Sequence, residues 1–199
     1  MMRRAVQAAV LAAALVLTSG CAVINRAGAA AVVDGERYSE DQIARDFVSF
    51  NKALGSQQKP GTMDQVNRAI ISILISKAIM EKASKETGVA INQDAIATLR
   101  EQLIMQTGGE KEFAAFAATK GVPPTMIDDV LANTVFTNDL GAKLVGGTNT
   151  DAQVQAANEY FLGLAKTMNV EVAPRYGKWD PSQMLADLPV NDLSVAAAQ

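Results

Sequence analysis

The feature that most constrains the fold is a long helical segment with an almost continuous apolar stretch at its centre. Thr62 followed three residues later by Gln65 is the capping-box pattern that begins a helix, and Gly88 is a usual C-terminal stop. The residues between them predict a helix over about 63–87. Its run 69–75 is apolar nearly all round, so neighbouring elements must cover it on most sides. We expect this helix to be the most buried one.

Cap and stop signals predict five further helices in the chain. Ser39 with Gln42 and Thr150 with Gln153 repeat the capping-box pattern, and Pro123-Pro124 suits a first helical turn, where a missing amide costs nothing. The predicted helices run from Ser39 to about Leu54, from Asn92 to about 107, from Glu110 to Lys120, from Pro123 to about Leu144, and from Thr150 to about Met168.

The composition agrees with a mainly α fold. The 199 residues are 49% hydrophobic but only 5% aromatic, so the core must be built from Ala, Val, Ile, Leu and Met. That composition favours helices over a β-sandwich or barrel, in which β-branched and aromatic residues dominate. The net charge of −3 argues against nucleic-acid binding, which needs a basic face.

Histidine is absent and cysteine occurs once, which limits the kinds of catalytic and metal site that the chain can form. The chain has no histidine, which excludes Ser-His-Asp and Cys-His sites and any His-bound metal. It has one cysteine, so neither an intramolecular disulfide nor a multi-cysteine zinc site is possible. We expect no enzymatic activity, no cofactor, no metal and no small-molecule substrate.

The N-terminus has the organisation of an export signal. Arg3 and Arg4 precede an apolar stretch from Ala5 to Leu17, and Thr18-Ser19-Gly20 leads to the single cysteine, Cys21. The Ser-Gly-Cys ending resembles a bacterial lipobox, although Thr18 stands where leucine is usual. The interpretation is a signal peptide over 1–20, lipidation of Cys21 and a tether over 21–29. The alternative is an ordinary secretory signal with an incidental Cys21.

The two ends of the remaining chain carry strand signals. Residues 30–38 read as a strand with a tight turn at Asp34-Gly35, and residues 169–172 alternate toward a strand. These segments, the helical middle, the Thr150-Asp151-Ala152-Gln153-Val154 cap and the segment Pro174-Arg175-Tyr176-Gly177-Lys178-Trp179-Asp180 together resemble the SurA N-terminal chaperone domain of actinobacterial-type lipoproteins. The resemblance covers about 30–182 and leaves 183–199 as a tail.

The resemblance has structural and functional implications. It implies a multi-helix bundle in which Ala31–Val33 pairs with Val170–Val172, forming a small two-stranded pairing of the N-terminal and C-terminal segments. It implies a chaperone module, whereas the parvulin prolyl-isomerase domain common in that family is missing. About thirty residues after the last predicted helix are too few for that domain, and its histidines are absent.

Five apolar side chains are candidates for contact with a bound polypeptide. They are Met80, Met105, Phe113, Phe116 and Met126. Methionine is unbranched and polarizable, so a groove lined with it adapts to varied apolar side chains. The alternative for any single methionine is core filling in an aromatic-poor protein.

Other polar and aromatic groups have less specific interpretations. Arg175, Tyr176, Lys178 and Trp179 form either a binding patch or, more favoured, a corner in which Trp179 packs on the bundle. The acidic residues Asp41, Asp46 and Asp128-Asp129 are interpreted as solvated helix faces or partners of helix N-termini rather than metal ligands.

The leading functional hypothesis is a membrane-tethered envelope holdase, lipid-anchored through Cys21 and facing the periplasm or extracytoplasmic space. It would bind unfolded or newly exported polypeptides without catalysis. A second hypothesis is a lipoprotein scaffold subunit with one specific envelope partner. A third, by family association, is a protein linked to peptidyl-prolyl isomerisation, for which we expect no activity.

Overall fold

A computed structural model describes residues 27–56 and 61–187. These residues form six α-helices and five short strands. The helices are α1 (Glu40–Leu54), α2 (Met63–Thr87), α3 (Gln93–Thr107), α4 (Glu110–Thr119), α5 (Ile127–Val145) and α6 (Thr150–Thr167). The strands are β1 (Ala29–Val33), β2 (Glu36–Ser39), β3 (Val170–Val172), β4 (Lys178–Asp180) and β5 (Leu185–Asp187). The mainly α fold predicted from the sequence is confirmed.

Helix α2 is the element against which most of the others pack. Its capping box is complete, with the Gln65 amide donating to the Thr62 hydroxyl at 3.3 Å and the Thr62 amide donating to the Gln65 side chain at 2.7 Å. Gly88 ends it in the left-handed conformation. Helices α1, α5 and α6 and strands β1 and β5 all contact it. Its ten buried residues, listed in chain order, are Val66, Ile70, Ile71, Ser72, Leu74, Ile75, Ala78, Ile79, Met80 and Ala83.

A small antiparallel sheet joins the two ends of the described chain. Strand β1 is its centre and pairs with β3 through Ala31 opposite Val172 and Val33 opposite Val170. This confirms the pairing that the resemblance implied. The sheet has three strands rather than two, because the chain reverses at Asp34-Gly35 and β2 pairs back onto β1. Both turn residues have positive φ angles, 47° and 90°, which suits this dipeptide.

The Asp34 side chain fixes this sheet to the helices. Its carboxylate accepts a hydrogen bond from the Asn169 amide at 2.8 Å. It also forms an ion pair with Lys82 of α2 at 2.9 Å. The Lys82 contact, joined by the Asn169 amide, holds the pKa of Asp34 below its usual value. The turn, the start of β3 and the outer face of α2 are therefore connected through one side chain.

Helices α5 and α6 form the most extensive helix pair. Phe136 and Phe161 stack between them with ring centroids 6.1 Å apart. Gly141 lets the backbones approach closely, because a Cβ there would lie 2.2 Å from the carbonyl oxygen of Gln153. The pair therefore depends on the stacked rings of Phe136 and Phe161 and, at Gly141, on the absence of a side chain between the two backbones.

The predicted capping box at Thr150 is wrong. The N-cap of α6 is Asn149, whose side-chain oxygen accepts a hydrogen bond from the Ala152 amide at 3.1 Å. The Gln153 side chain instead donates to the carbonyls of Gly146 and Gly147, at 3.2 and 2.9 Å. The Gln153 side chain is therefore bound by the loop between α5 and α6 and does not cap the helix.

The folded region extends beyond residue 182, where the sequence placed its end. Strands β4 and β5 form a hairpin in which Trp179 pairs with Ala186. Ala186 is buried, and its amide donates to the hydroxyl of Ser72 on α2 at 3.0 Å. Residues 183–187 therefore belong to the domain.

The predicted signal peptide, Cys21 and most of the predicted tether lie outside the described residues, as does the chain after Asp187. Across 27–56 and 61–187, no helix combines the length and hydropathy that a membrane crossing requires.

Candidate functional site

The structure separates the five predicted peptide-contact residues into two groups. Met80, Phe113 and Met126 are core residues with 2%, 4% and 2% of their surfaces exposed, so a peptide cannot reach them in this fold. Core filling, the alternative interpretation, describes these three. Met105 on α3 and Phe116 on α4 are 74% and 50% exposed. They remain accessible to a peptide, and they lie on two different helices.

Phe116 occupies a shallow surface made by one helix. Its neighbours there, Lys111, Glu112, Ala115 and Thr119, all belong to α4. The Lys120 ammonium lies 5.6 Å from the centre of the Phe116 ring. A surface built from one helix has no opposing wall, so it can bury little of a bound chain.

A groove with walls from several elements lies between α2, α5, the loop after α4 and the β4–β5 hairpin. Its volume is about 400 Å³, within the range of small-ligand sites. Its apolar lining residues are Ala69, Ile73, Val122, Val130, Met184 and Leu185. Its polar lining residues are Ser72, Ser76, Lys77, Lys120, Asp129, Asn133 and Thr134, and Gly121 completes it. Leu185, on the hairpin, is 49% exposed although it lines the groove.

Small side chains on α2 create the space. Ala69, Ser72, Ile73 and Ser76 recur at helical spacing, so they share one face of the helix. Three of the four are alanine or serine, which leaves room between α2 and α5. Gly121, with φ of 82°, turns the chain after α4 so that Val122 reaches the groove.

The hairpin wall is fixed by Trp179 and Asp180. Trp179 is only 9% exposed, in agreement with the favoured corner interpretation, although its indole N–H has no partner among the described residues. The Asp180 carboxylate accepts hydrogen bonds from the Ser182 hydroxyl and amide and from the Gln183 side chain, and these lower its pKa. The turn then brings Met184, with φ of 52°, to the groove.

Three charged side chains line the groove, and two of them are paired with each other. Lys77 and Asp129 form an ion pair at 2.8 Å. The hydrogen bond to Asp129 raises the pKa of Lys77, so this lysine is charged at neutral pH. Lys120 has no carboxylate partner in the described part of the chain, and its ammonium lies near the Phe116 ring. The lining therefore has one uncompensated positive charge.

Arg175 and Tyr176 are occupied within the domain. The Arg175 guanidinium lies 4.7 Å from the Tyr176 ring centre and forms an ion pair with Glu40 at 2.5 Å. With Met63 and Phe47 they line a second open groove of about 450 Å³ at the start of α1. The cation and the aromatic ring therefore already contact each other there, and the remaining polar lining of Asp41, Asp64 and Asn67 carries no positive charge.

The acidic residues considered in the sequence have separate roles. Asp128 binds Arg100 at 2.9 Å, Asp129 binds Lys77, and Asp41 is exposed. Asp46 departs from the expected solvated face, since it is only 7% exposed and accepts a hydrogen bond from the Thr125 hydroxyl at 2.8 Å. Within 27–56 and 61–187, no group of three or more potential metal-ligating side chains comes together.

Replacing Asp46 with asparagine should flatten the pH dependence of stability. Burial raises the pKa of Asp46 above its usual 3.8, outweighing the opposing hydrogen bond from Thr125. The folded state therefore holds the Asp46 proton more tightly than the unfolded state does. The resulting contribution to stability is complete below the pKa that Asp46 has in the unfolded state, and it is lost as pH rises through the pKa in the folded state. Asp46→Asn keeps an oxygen for Thr125, so its stability relative to wild type should increase as pH rises from about 4 through the raised pKa of Asp46.

Urea unfolding at several pH values measures this effect, with Asp41→Asn on the exposed face of the same helix as control. A wild type and an Asp46→Asn variant whose stabilities change in parallel with pH would contradict it.

The main groove residues were not identified from the sequence. Ile73, Val122, Val130, Met184 and Leu185 come from four separate segments, and no local pattern marks their convergence. The one available signal was the small-residue face of α2.

No protein-family profile matches the chain, and no curated protein or solved structure is significantly similar to it.

Proposed function

We propose that this protein is a membrane-tethered, non-catalytic holdase that binds unfolded or newly exported polypeptides. The observation that carries the proposal is the α2–α5 groove, which offers apolar surface and hydrogen-bonding groups together. Burying apolar side chains there would contribute about 25 cal/mol per Å². Such binding needs no reactive group and no nucleotide.

The geometry of the groove favours short segments over whole folded proteins. A volume of about 400 Å³ accommodates a few side chains, whereas stable protein–protein interfaces bury far larger surfaces. The lining also joins Met184 to branched aliphatic side chains, and methionine adapts to varied shapes. Weak, sequence-tolerant capture of exposed segments fits these properties.

The proposed tether would keep the groove near the membrane. Seven residues lie between Cys21 and Ala29, where β1 begins, and the eight steps from one to the other span at most about 28 Å when extended. A lipid on Cys21 would therefore hold the domain within reach of chains that emerge from the membrane.

Suppression of aggregation tests the holdase function. The chain lacking residues 1–21 should reduce the light scattering of reduced α-lactalbumin at several-fold excess. Leu185→Asp should lose most of this protection, because it places a charge on the apolar groove wall. Leu144→Asp is the matched control, since Leu144 is 41% exposed at the end of α5 and does not line the groove. No protection by wild type, or equal protection by both variants, would contradict the proposal.

A scaffold function with one envelope partner is the second candidate. It is favoured by the burial of Met80, Phe113 and Met126, which leaves a packed bundle rather than a wide cradle. Pull-down from membranes separates the two functions. One stoichiometric partner supports the scaffold, and many unfolded chains support the holdase.

A further inference from the structure

We propose that the α2–α5 groove selects extended segments in which an acidic side chain lies among apolar residues. The inference rests on the proposed polypeptide binding and specifies its substrate class. It depends on three properties of the lining: its unengaged hydrogen-bonding groups, its uncompensated charge and its open shape.

The hydrogen-bonding groups indicate a peptide rather than a purely apolar ligand. Ser76 and Asn133 line the groove, and their side chains hydrogen-bond to no other residue in the described ranges. An extended peptide has an amide and a carbonyl at almost every residue, and these need partners when a groove excludes water. The asparagine amide can both donate and accept, and serine can do the same. An acyl chain would leave these groups unsatisfied.

The charges indicate a carboxylate on that peptide. Asp129 already neutralises Lys77 at 2.8 Å, so neither group needs a ligand. Lys120 is the remaining charge, and its ammonium, 5.6 Å from the centre of the Phe116 ring, forms no ion pair in the described part of the chain. A glutamate or aspartate next to Lys120 would complete the charge balance of the lining, whereas a lysine or arginine would add repulsion.

The open shape favours an acidic side chain within a segment over a terminal carboxylate. The walls come from separate elements, and Lys120, Thr134 and Leu185 are all exposed at the groove. A chain can therefore pass along the groove without ending in it. Val122, Val130 and Leu185 would contact the apolar residues on either side of the acidic one.

Binding of matched peptides to the full chain tests this inference. The protein is reconstituted in zwitterionic phospholipid vesicles, with empty vesicles as blank. The probes are short, capped, fluorescein-labelled peptides of leucine, valine and alanine with glutamate, glutamine or lysine at the centre. We expect the glutamate peptide to bind about threefold to fivefold more tightly than the glutamine peptide, and the lysine peptide most weakly. Raising NaCl from about 0.05 M to about 0.5 M should remove the difference.

Lys120→Gln should abolish the preference for glutamate, so that the glutamate and glutamine peptides bind equally. Lys111→Gln is the matched control, because it removes the same charge from an exposed position at the start of α4, outside the groove. Equal binding of all peptides, or a preference that survives Lys120→Gln, overturns the inference and leaves the holdase proposal intact. No binding of any peptide overturns both.

One further outcome would assign the groove to another occupant and overturn the inference. Decanoate that displaces the glutamate peptide and binds more tightly would identify a lipid acid. Tighter binding of the glutamate peptide by Asp192→Asn would support the selectivity, because the chain's own segment after Asp187 contains an aspartate among apolar residues and would then compete for the groove.

Discussion

Phe136→Ala is expected to lower the free energy of unfolding by about 3–5 kcal/mol. Phe136 has no exposed surface, and its ring stacks on Phe161 at 6.1 Å where α5 packs on α6. Truncation removes the buried apolar area and leaves a cavity that two rigid helices cannot close. Urea unfolding followed by far-UV circular dichroism measures the loss as a lower midpoint with an unchanged slope.

Phe116→Ala is the matched control for this substitution. Phe116 is 50% exposed on α4, and its main contact is the Lys120 ammonium. Its removal should cost about 1 kcal/mol or less. Similar losses from the two substitutions would show that the α5–α6 contact is not the tightly packed centre that the structure describes.

The helices could be predicted from the sequence because their signals are local. The capping box of Thr62 and Gln65 and the stop at Gly88 act within one helical turn, so the bounds of α2 follow from neighbouring residues alone. The same logic failed at Thr150, since Asn149 is an equally good cap one residue earlier. The loop carbonyls of Gly146 and Gly147 compete for the Gln153 side chain, and a local pattern does not include them.

The candidate site could not be predicted in the same way, because burial depends on distant partners. Phe113 and Phe116 are three residues apart on α4, yet one is in the core and the other is half exposed. Periodicity places both near one helix face, but the position of α1 and α3 decides which side chain is covered. The groove could not be predicted for the same reason. Its lining residues come from α2, the loop after α4, α5 and the hairpin, which meet only in the folded chain.

Asp46 shows the same limit for a charged residue. An aspartate in a helix is normally solvated, and nothing near it in the sequence suggests otherwise. Its burial results from contact with the 3₁₀ turn Pro124–Met126, whose Thr125 lies 79 residues away along the chain. The pH dependence argued above is therefore a property of the tertiary structure alone.

Gly141→Ala is expected to destabilise the domain by about 2–4 kcal/mol, although alanine is the better helix former. A Cβ at this position would lie 2.2 Å from the Gln153 carbonyl oxygen and 2.5 Å from its carbonyl carbon. Backbone atoms cannot rotate away as a side chain can, so α6 would have to move off α5. Thermal and urea unfolding should both show the loss.

Gly163→Ala separates this steric cost from the helix propensity of glycine. Gly163 lies inside α6, and a Cβ there would meet no other atom within 4 Å. The same substitution should therefore stabilise the domain by about 0.5–1 kcal/mol, because alanine lowers the entropy lost on folding. The same glycine-to-alanine substitution is thus expected to lower the free energy of unfolding at Gly141 and to raise it at Gly163. A Gly141→Ala variant as stable as Gly163→Ala would mean that α5 and α6 do not approach as closely as the structure places them, and the packing that positions Val130 and Asn133 along the groove would need revision.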